Sequence, residues 1–417
     1  MKITNSHIYA GMIALFPICV FLGGIFSYYD EFVSLICTVY CFLALFQGKL
    51  SELNKKIVLI MCAITAIGIV SNCMSGLIKL AFPILVDIVW LWKTFATYVF
   101  FSESCKNSNI RNKTIRMLAS VAKATIVLLL CTALVGQFVD IGVTGRTRIL
   151  GLKSFHFFWR NGIQTGWLAF CCLIILSLTQ IEMRTMKKYF LMALIPLFLT
   201  ASALVYCWLA VAIILFVLMG EDKQFKVWHI IVIALVALPF AWEELETYFF
   251  STESPARRTL LEHGAIVANR YFPLGSGFAT YGSEMAQRYY SKLYVDFGWE
   301  YTWLFGRESS FLNDNFFAGI LGQFGWGGFF LYLGALFTML KANNSPLIPK
   351  RVRVVLVATI ITIFAVMVGS ASAKSMMGVC TFAVLGLGQS TIISQTNVLQ
   401  NTREREVRND YRNSAGI

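Results

Sequence analysis

Charge is what this sequence most lacks: 14% of its 417 residues are Asp, Glu, Lys or Arg, against 57% hydrophobic ones. A soluble domain carries about a quarter charged residues, so a water-soluble fold is excluded. The alternating pattern of an outer-membrane barrel is missing too, because the apolar runs are continuous. No small-residue cleavage site follows the first apolar run, roughly 8–28, and the run is too long for a signal-peptide core. It is therefore expected to remain as the first helix. Neither long polar loop contains a cysteine; the eleven cysteines lie in or beside apolar runs, with no disulfide framework and no metal-ligand spacing. The adjacent Cys171 and Cys172 read as small apolar residues of a helix. Nucleic-acid motifs are absent, and a net charge of +13 is what a membrane protein accumulates in its cytoplasmic loops.

What remains is a succession of apolar runs near 8–28, 32–47, 57–73, 80–101, 117–139, 163–180, 189–201, 203–219, 227–243, 315–340, 354–371 and 376–394. About 20 apolar residues cross the hydrocarbon core as a helix, so the expected fold is an all-α polytopic membrane protein of about twelve spans. Residues 189–219 form one run interrupted at Thr200, Ala201 and Ser202, and it is too long for one ordinary crossing, so it is split there. With the N-terminus inside, Lys49, Lys55 and Lys56, then Lys106, Arg111, Lys113 and Arg116, then Arg184, Lys187 and Lys188 all fall on the cytoplasmic side. Lys223 and Lys226, the group from Lys341 to Arg353 and the arginines of the 395–417 tail follow them there, as the positive-inside rule requires. Merging the two helices around 200–202 would place every later loop on the wrong side. Two regions result: spans one to nine over 1–243, interrupted by a loop at about 140–161, and spans ten to twelve over 315–394. A large loop over 244–314 joins them, and both termini are expected to be cytoplasmic.

Those two outer loops break the charge rule. The first carries Arg146, Arg148, Lys153 and Arg160; the second carries Arg257, Arg258, Arg270, Arg288, Lys292 and Arg307. Arginine's planar fork suits phosphate or pyrophosphate, so an anionic ligand at the outer membrane face is one reading; translocation of a long loop whatever its charge is the other. Residues 256–271 read as a short helix with Arg258, Glu262 and Asn269 on one polar face, where Arg258 and Glu262 are spaced to pair. A glycine turn follows at 272–277, then an aromatic and hydroxyl-rich stretch with Tyr281, Ser283, Tyr289, Tyr290, Tyr294, Trp299, Tyr301 and Trp303. Such residues stack on sugars or form membrane belts. The tenth span opens at Asn313, Asp314 and Asn315, where the positive helix end favours an anion. Asp314 fits a general base or an N-cap. Glycines 319, 322, 325 and 328 leave a groove along this span for a neighbouring helix or a lipid tail. Asp87 and Lys93 are ionisable groups inside the fourth span, and such groups mark functional pathways.

The stretch 257–331 resembles the O-antigen and capsular polysaccharide polymerases (Wzy type), which share a superfamily with the O-antigen ligases. The residues that carry the resemblance are Arg257 and Arg258, Tyr-Phe-Pro-Leu-Gly-Ser-Gly-Phe at 271–278, Tyr-Gly-Ser at 281–283, Tyr-Ser-Lys-Leu-Tyr at 290–294, and Asp-Asn-Phe-Phe through Gly-Gln-Phe-Gly-Trp-Gly-Gly at 314–328. About twelve spans, cytoplasmic ends and two arginine-bearing periplasmic loops also resemble that family. The ligases carry His-Asn where this chain has Asp314 and Asn315, which favours the polymerase. The paired Arg-x10-Gly motifs of some polymerases are absent.

The resemblance implies a membrane-embedded GT-C glycosyltransferase in the bacterial inner membrane, joining undecaprenyl-pyrophosphate-linked oligosaccharides without metal or cofactor. Its implied associates are membrane lipids, a chain-length regulator and a flippase. Under this reading Arg258 and Arg270, with Arg257, hold the pyrophosphate, and Arg146 or Arg160 closes over it. Asp314 is the first choice of base and Glu262 or His263 the second, while His156 is a candidate for an unspecified role. Tyr281, Ser283, Tyr290 and Asn315 line the glycan. The alternatives are an O-antigen ligase and a lipid-linked oligosaccharide flippase.

Overall fold

The structure, a computed structural model, describes residues 4–149, 151–159, 162–179, 183–200, 202–219, 223–226, 228–229, 231–233, 235 and 256–391. It is a helical membrane protein with almost no sheet. Seven described helices are long and apolar enough to cross a membrane: Asn5–Leu22 (α1), Gly24–Phe46 (whose α-helical part, Tyr29–Phe46, is α2), Glu52–Ser75 (α3), Ala81–Ser104 (α4), Ser108–Phe138 (α5), Phe316–Asn343 (α12) and Lys350–Gly369 (α13). Shorter apolar helices are Gly162–Leu178 (α6), Met183–Leu199 (α7), Ala203–Leu218 (α8) and Met376–Thr391 (α14). The interruption at 200–202 lies between α7 and α8. Most of 227–243, all of 244–255 and the 395–417 tail lie outside the described residues.

Packing follows from a lipid environment. A soluble helix hides its apolar stripe, whereas here Ile25, Phe46 and Phe138 are more than 80% exposed on the outer surface of the bundle. Inside, α2 lies on α4, α3 on α12, α12 and α8 on α13, and α1, α6 and α7 on α5. Several buried polar groups are paired between helices. Lys93 Nζ of α4 reaches Asp30 Oδ2 of α2 at 2.7 Å and Glu31 at 3.5 Å. Glu103 Oε1 accepts from Ser51 N–H and Oγ and from Asn54 Nδ2, at 2.6–2.8 Å. Lys93 thus has a partner that its sequence neighbours do not supply.

The first long loop departs from the all-helical expectation. It forms an antiparallel hairpin, Thr144–Ile149 (β1) with Leu152–Phe155 (β2), which pairs Arg148 with Lys153 across an irregular register. The Gln137 side chain at the end of α5 clamps β2, accepting from Lys153 N–H at 2.8 Å and donating to its carbonyl at 3.0 Å. Gly151 takes φ +81° in the tight turn, a conformation open to glycine.

The second long loop folds as a small domain on one end of the bundle, called here the loop face. It comprises Ala256–Arg270 (α9), Glu284–Arg288 (α10) and Lys292–Asp296 (α11). Leu260, Val267, Tyr281, Tyr294, Leu293, Trp299, Phe305 and Leu312 form a core of its own. Between α9 and α10, residues 272–283 dip between α3, α4 and α12. Non-helical backbone at that depth must find hydrogen bonds inside the protein, and it does. Ser71 and Ser75 hydroxyls donate to the Leu274 and Ser276 carbonyls, and the Asn72 side chain bonds both N–H and C=O of Phe278.

That dip explains the glycines of α12. The helix breaks at Gly325, where φ is 62° and ψ −172°. A break leaves carbonyls of the preceding turn without helical partners; Ser276 N–H and Gly277 N–H donate to the Gly322 and Gln323 carbonyls at 3.0 and 2.8 Å. Gly319 packs against the Gly282 backbone, Gly322 against the Tyr281 ring, and Gly325 against the Pro273 carbonyl. The groove expected to admit a helix or a lipid tail is instead filled at these three positions by the chain's own loop, while Gly328 meets only Phe324 of its own helix.

Candidate functional site

The loop face gathers ionisable groups around the start of α12. Asn315, fully buried, caps that helix by accepting from Ala318 N–H at 3.0 Å, and its amide donates to the Arg257 carbonyl at 3.3 Å. The N-cap is therefore Asn315, which leaves Asp314 free for another partner. Arg257 Nε of α9 donates to Asp314 Oδ2 at 3.1 Å, with side chains 14% and 29% exposed. Burial raises the Asp314 carboxyl above the usual carboxylate range, and the Arg257 guanidinium acts in the opposite direction.

Near the start of α12 lies a cavity of about 40 Å3, lined by Asp87 and Trp90 of α4, Gly282 and Ser283 of the loop, Phe316 and Gln323 of α12, and Lys374. That is room for a water or a hydroxyl. Asp87 Oδ2 accepts from Ala279 N–H at 2.8 Å and from Gln323 Nε2 at 3.3 Å. Its Oδ1 is buried without a hydrogen-bond partner among the described residues. Lys374, on the turn between α13 and α14, holds its ammonium 5.5 Å from the Trp90 ring centre and 5.9 Å from that of Phe316. Burial lowers it to about 8, although Asp87 favours its charged form.

A larger hollow of about 380 Å3 opens at the surface, lined by Glu284, Gln287, Arg288, Arg307 and Asn313. The two spaces adjoin in sequence at Ser283 and Glu284, and again at Asn313 and Phe316. Arg307 sits over the Tyr290 ring at 4.9 Å and reaches Glu300 at 3.6 Å. Arg288 is exposed and forms no ion pair among the described residues.

Several expected ligand groups are placed elsewhere. Tyr281 and Tyr290 are buried in the loop core, donating to the Leu260 and Phe305 carbonyls at 2.6 and 3.0 Å, so neither hydroxyl is open to a glycan. Their aromatic character reflects a small domain needing large side chains to make a core. Tyr294 likewise accepts from Gly282 N–H, and Trp299 stacks on Tyr294 and Phe305. Tyr301 and Trp303, 87% and 76% exposed, remain as open aromatic faces. Ser283 is buried, caps α10 through Ala286 N–H at 3.1 Å, and lines the cavity.

The arginines divide in the same way. Arg258 pairs with Glu262 at 2.7 Å on the exposed side of α9, as the i,i+4 spacing allows, and Arg270 pairs with Asp296 at 3.4 Å. His263 is half-buried, its Nδ1 3.0 Å from the Thr259 carbonyl and its ring edge-on to Phe297. His156 lies at the end of the hairpin, its N–H donating to the Val143 carbonyl. Arg160 and the Arg146 side chain lie outside the described residues. Sequence reasoning missed Lys374 and Gln323. Lys374 carried a signal, a lone cation at the start of an apolar run on the side the charge rule leaves poor in cations; Gln323 carried none beyond being polar in a span.

A comparison with protein-family models gives no match, and a comparison with curated proteins gives none. The functional reading therefore rests on this chain's own residues.

Proposed function

We propose that the protein is a polysaccharide polymerase. It joins undecaprenyl-pyrophosphate-linked repeat units at the periplasmic face of the bacterial inner membrane, through a twelve-span GT-C architecture with cytoplasmic ends. The observation that carries this reading is the folding of 257–328. The blocks that resemble the polymerases are not scattered; they close together over the broken helix α12, beside a hollow lined by Glu284, Arg288 and Arg307 and a smaller cavity lined by Asp87 and Lys374. The span count is supported by the path of the chain. Phe225 N–H bonds the Asn344 side chain at the far end of α12, while Ala256 starts α9 at the loop face, so these two described residues lie at opposite ends of the bundle, as the expected ninth span requires.

In this reaction a sugar hydroxyl of one lipid-linked unit attacks the anomeric carbon of another chain, and undecaprenyl pyrophosphate leaves. The leaving group is already good, so positioning and charge neutralisation supply most of the catalysis. Arg288 and Arg307 are the cations of the hollow and Lys374 that of the smaller cavity, with Arg257, Arg258 and Arg270 on α9. The proton acceptor is one of two carboxylates, Asp314 or Asp87. Deleting the gene and resolving the polysaccharide on a gel tests the reading. Single-repeat caps on lipid A support the polymerase; polymer retained on the lipid carrier supports a ligase, and lipid-linked units accumulating on the inner side support a flippase.

A further inference from the structure

We infer that Asp87 of α4 is the carboxylate that takes the proton of the attacking sugar hydroxyl, and that the cavity it shares with Ser283, Gln323 and Lys374 is the seat of that hydroxyl. The inference rests on the polymerase reading and names a residue of its site from outside the stretch that carries the resemblance.

The carboxylate is built as a positioned acceptor. Asp87 is 4% exposed, yet its two oxygens are unequal. Oδ2 is held by the Ala279 N–H and the Gln323 amide, and Gln323 is itself fixed by donating to the Tyr281 carbonyl at 2.8 Å. Two donors on one oxygen orient the group and leave Oδ1 without a close hydrogen bond among the described residues, with the Ser283 hydroxyl as the group that interacts with this carboxylate from the cavity side. A buried acceptor without a close donor is costly, the more so when charged, so this oxygen calls for a hydroxyl or a water. The cavity of about 40 Å3 fits one and excludes a sugar ring. The ring would rest above it, towards the Arg288 and Arg307 hollow that begins at Glu284.

Lys374 completes the pair. Its ammonium faces the same cavity between Trp90 and Phe316, and it makes no hydrogen bond or ion pair among the described residues. Asp87 and Glu284 are the carboxylates that act on its charge, with Lys93 the opposing cation. Asp314 is less suited to the role, because its Oδ2 is already engaged by Arg257 and its side chain is 29% exposed.

In the step, the hydroxyl proton passes to Asp87 Oδ1 and the hydroxyl oxygen forms the new bond to the anomeric carbon. The bond from that carbon to the pyrophosphate oxygen breaks and its electron pair leaves with the pyrophosphate, while Lys374, lining the seat of the hydroxyl, offsets the charge that develops on the attacking oxygen. The proton on Asp87 is then lost to water.

The test uses the full-length protein in lipid nanodiscs with a synthetic undecaprenyl-pyrophosphate repeat unit. Asp87→Asn should lower kcat by about 10²–10⁴-fold while KM changes less than about threefold, because the substitution removes a proton acceptor and keeps the shape. Asp87→Glu should restore part of the loss. Should Asp87→Asn fail to fold, Lys374→Met, which keeps the Asp87 to Ala279 bond, should lower kcat at least about tenfold. An active wild type with Asp87→Asn above a tenth of its turnover, or with Lys374→Met unchanged, overturns this assignment alone. A wild type that makes no polymer overturns the polymerase reading and the assignment together.

Discussion

Replacing Gly275 by alanine tests the central structural claim, that a loop is wedged into a broken helix. A Cβ at Gly275 would collide with the Gly325 backbone nitrogen and come within 2.6 Å of the Gln323 carbonyl oxygen, and φ there is +81°. Both obstacles are backbone, so neither can swing aside. The left-handed conformation costs alanine about 1–2 kcal/mol, and overpacking adds about 1–3 kcal/mol. If the loop backs out, the Gly322 and Gln323 carbonyls lose the Ser276 and Gly277 N–H donors, at about 1–3 kcal/mol for each buried group left unpaired. The expected cost is therefore about 2–5 kcal/mol, set by whichever of collision or withdrawal is cheaper. Gly327→Ala is the control: it lies two residues past the break, its Cβ meets nothing within 4 Å, and alanine there gains up to about 1 kcal/mol of helix propensity. Thermal unfolding in detergent, followed by tryptophan fluorescence, should place Gly275→Ala well below the wild type and Gly327→Ala at or above it. Equal melting temperatures for the two variants would refute the wedge.

Three further outcomes follow from the same contacts. Arg258→Ala should change the melting temperature little, because an exposed i,i+4 pair contributes only about 0.3–0.5 kcal/mol; shortened polymer with unchanged melting would then report contact with substrate. Lys93→Met should destabilise by about 3–5 kcal/mol, since it strands the buried Asp30 carboxylate, and adding Asp30→Asn should recover much of that loss in the same melt. The Lys374 ammonium, lowered to about 8 by burial, is charged below that pH and neutral above it. Turnover should therefore fall as pH rises through about 8, with Asp87, Glu284 and Lys93 as the charged groups that set the position. Lys374→Arg, which stays protonated, should remove that alkaline limb from the pH–rate profile.

Much of the architecture could be read from the chain because membrane burial is a one-dimensional signal. Apolar run length marks where a helix can cross, and 200–202 and 256–271 could be read as a break and a short helix from periodicity and composition alone. The Arg258 to Glu262 pair was equally open to reading, since four residues of helix bring the two side chains together. The hairpin of the first loop was not, because an irregular six-residue strand carries too little alternation to stand out.

Contacts between distant segments were decided by tertiary structure. Sequence gave the type of residue at the start of α12, an amide and a carboxylate, but not which would cap the helix; packing of α9 put Arg257 beside Asp314 and left the cap to Asn315. Glycine spacing showed that something approaches α12 closely, and only the fold showed that it is the chain's own 272–283 segment. Tyrosines and tryptophans read equally well as sugar platforms or as a membrane belt, and enclosure by α9 made Tyr281 and Tyr294 core instead. Asp87 and Lys374 are 287 positions apart, and no local pattern couples them. The physical reason is range: propensity, periodicity and hydropathy act over one helix, whereas a site assembled from four segments exists only once their backbones have met.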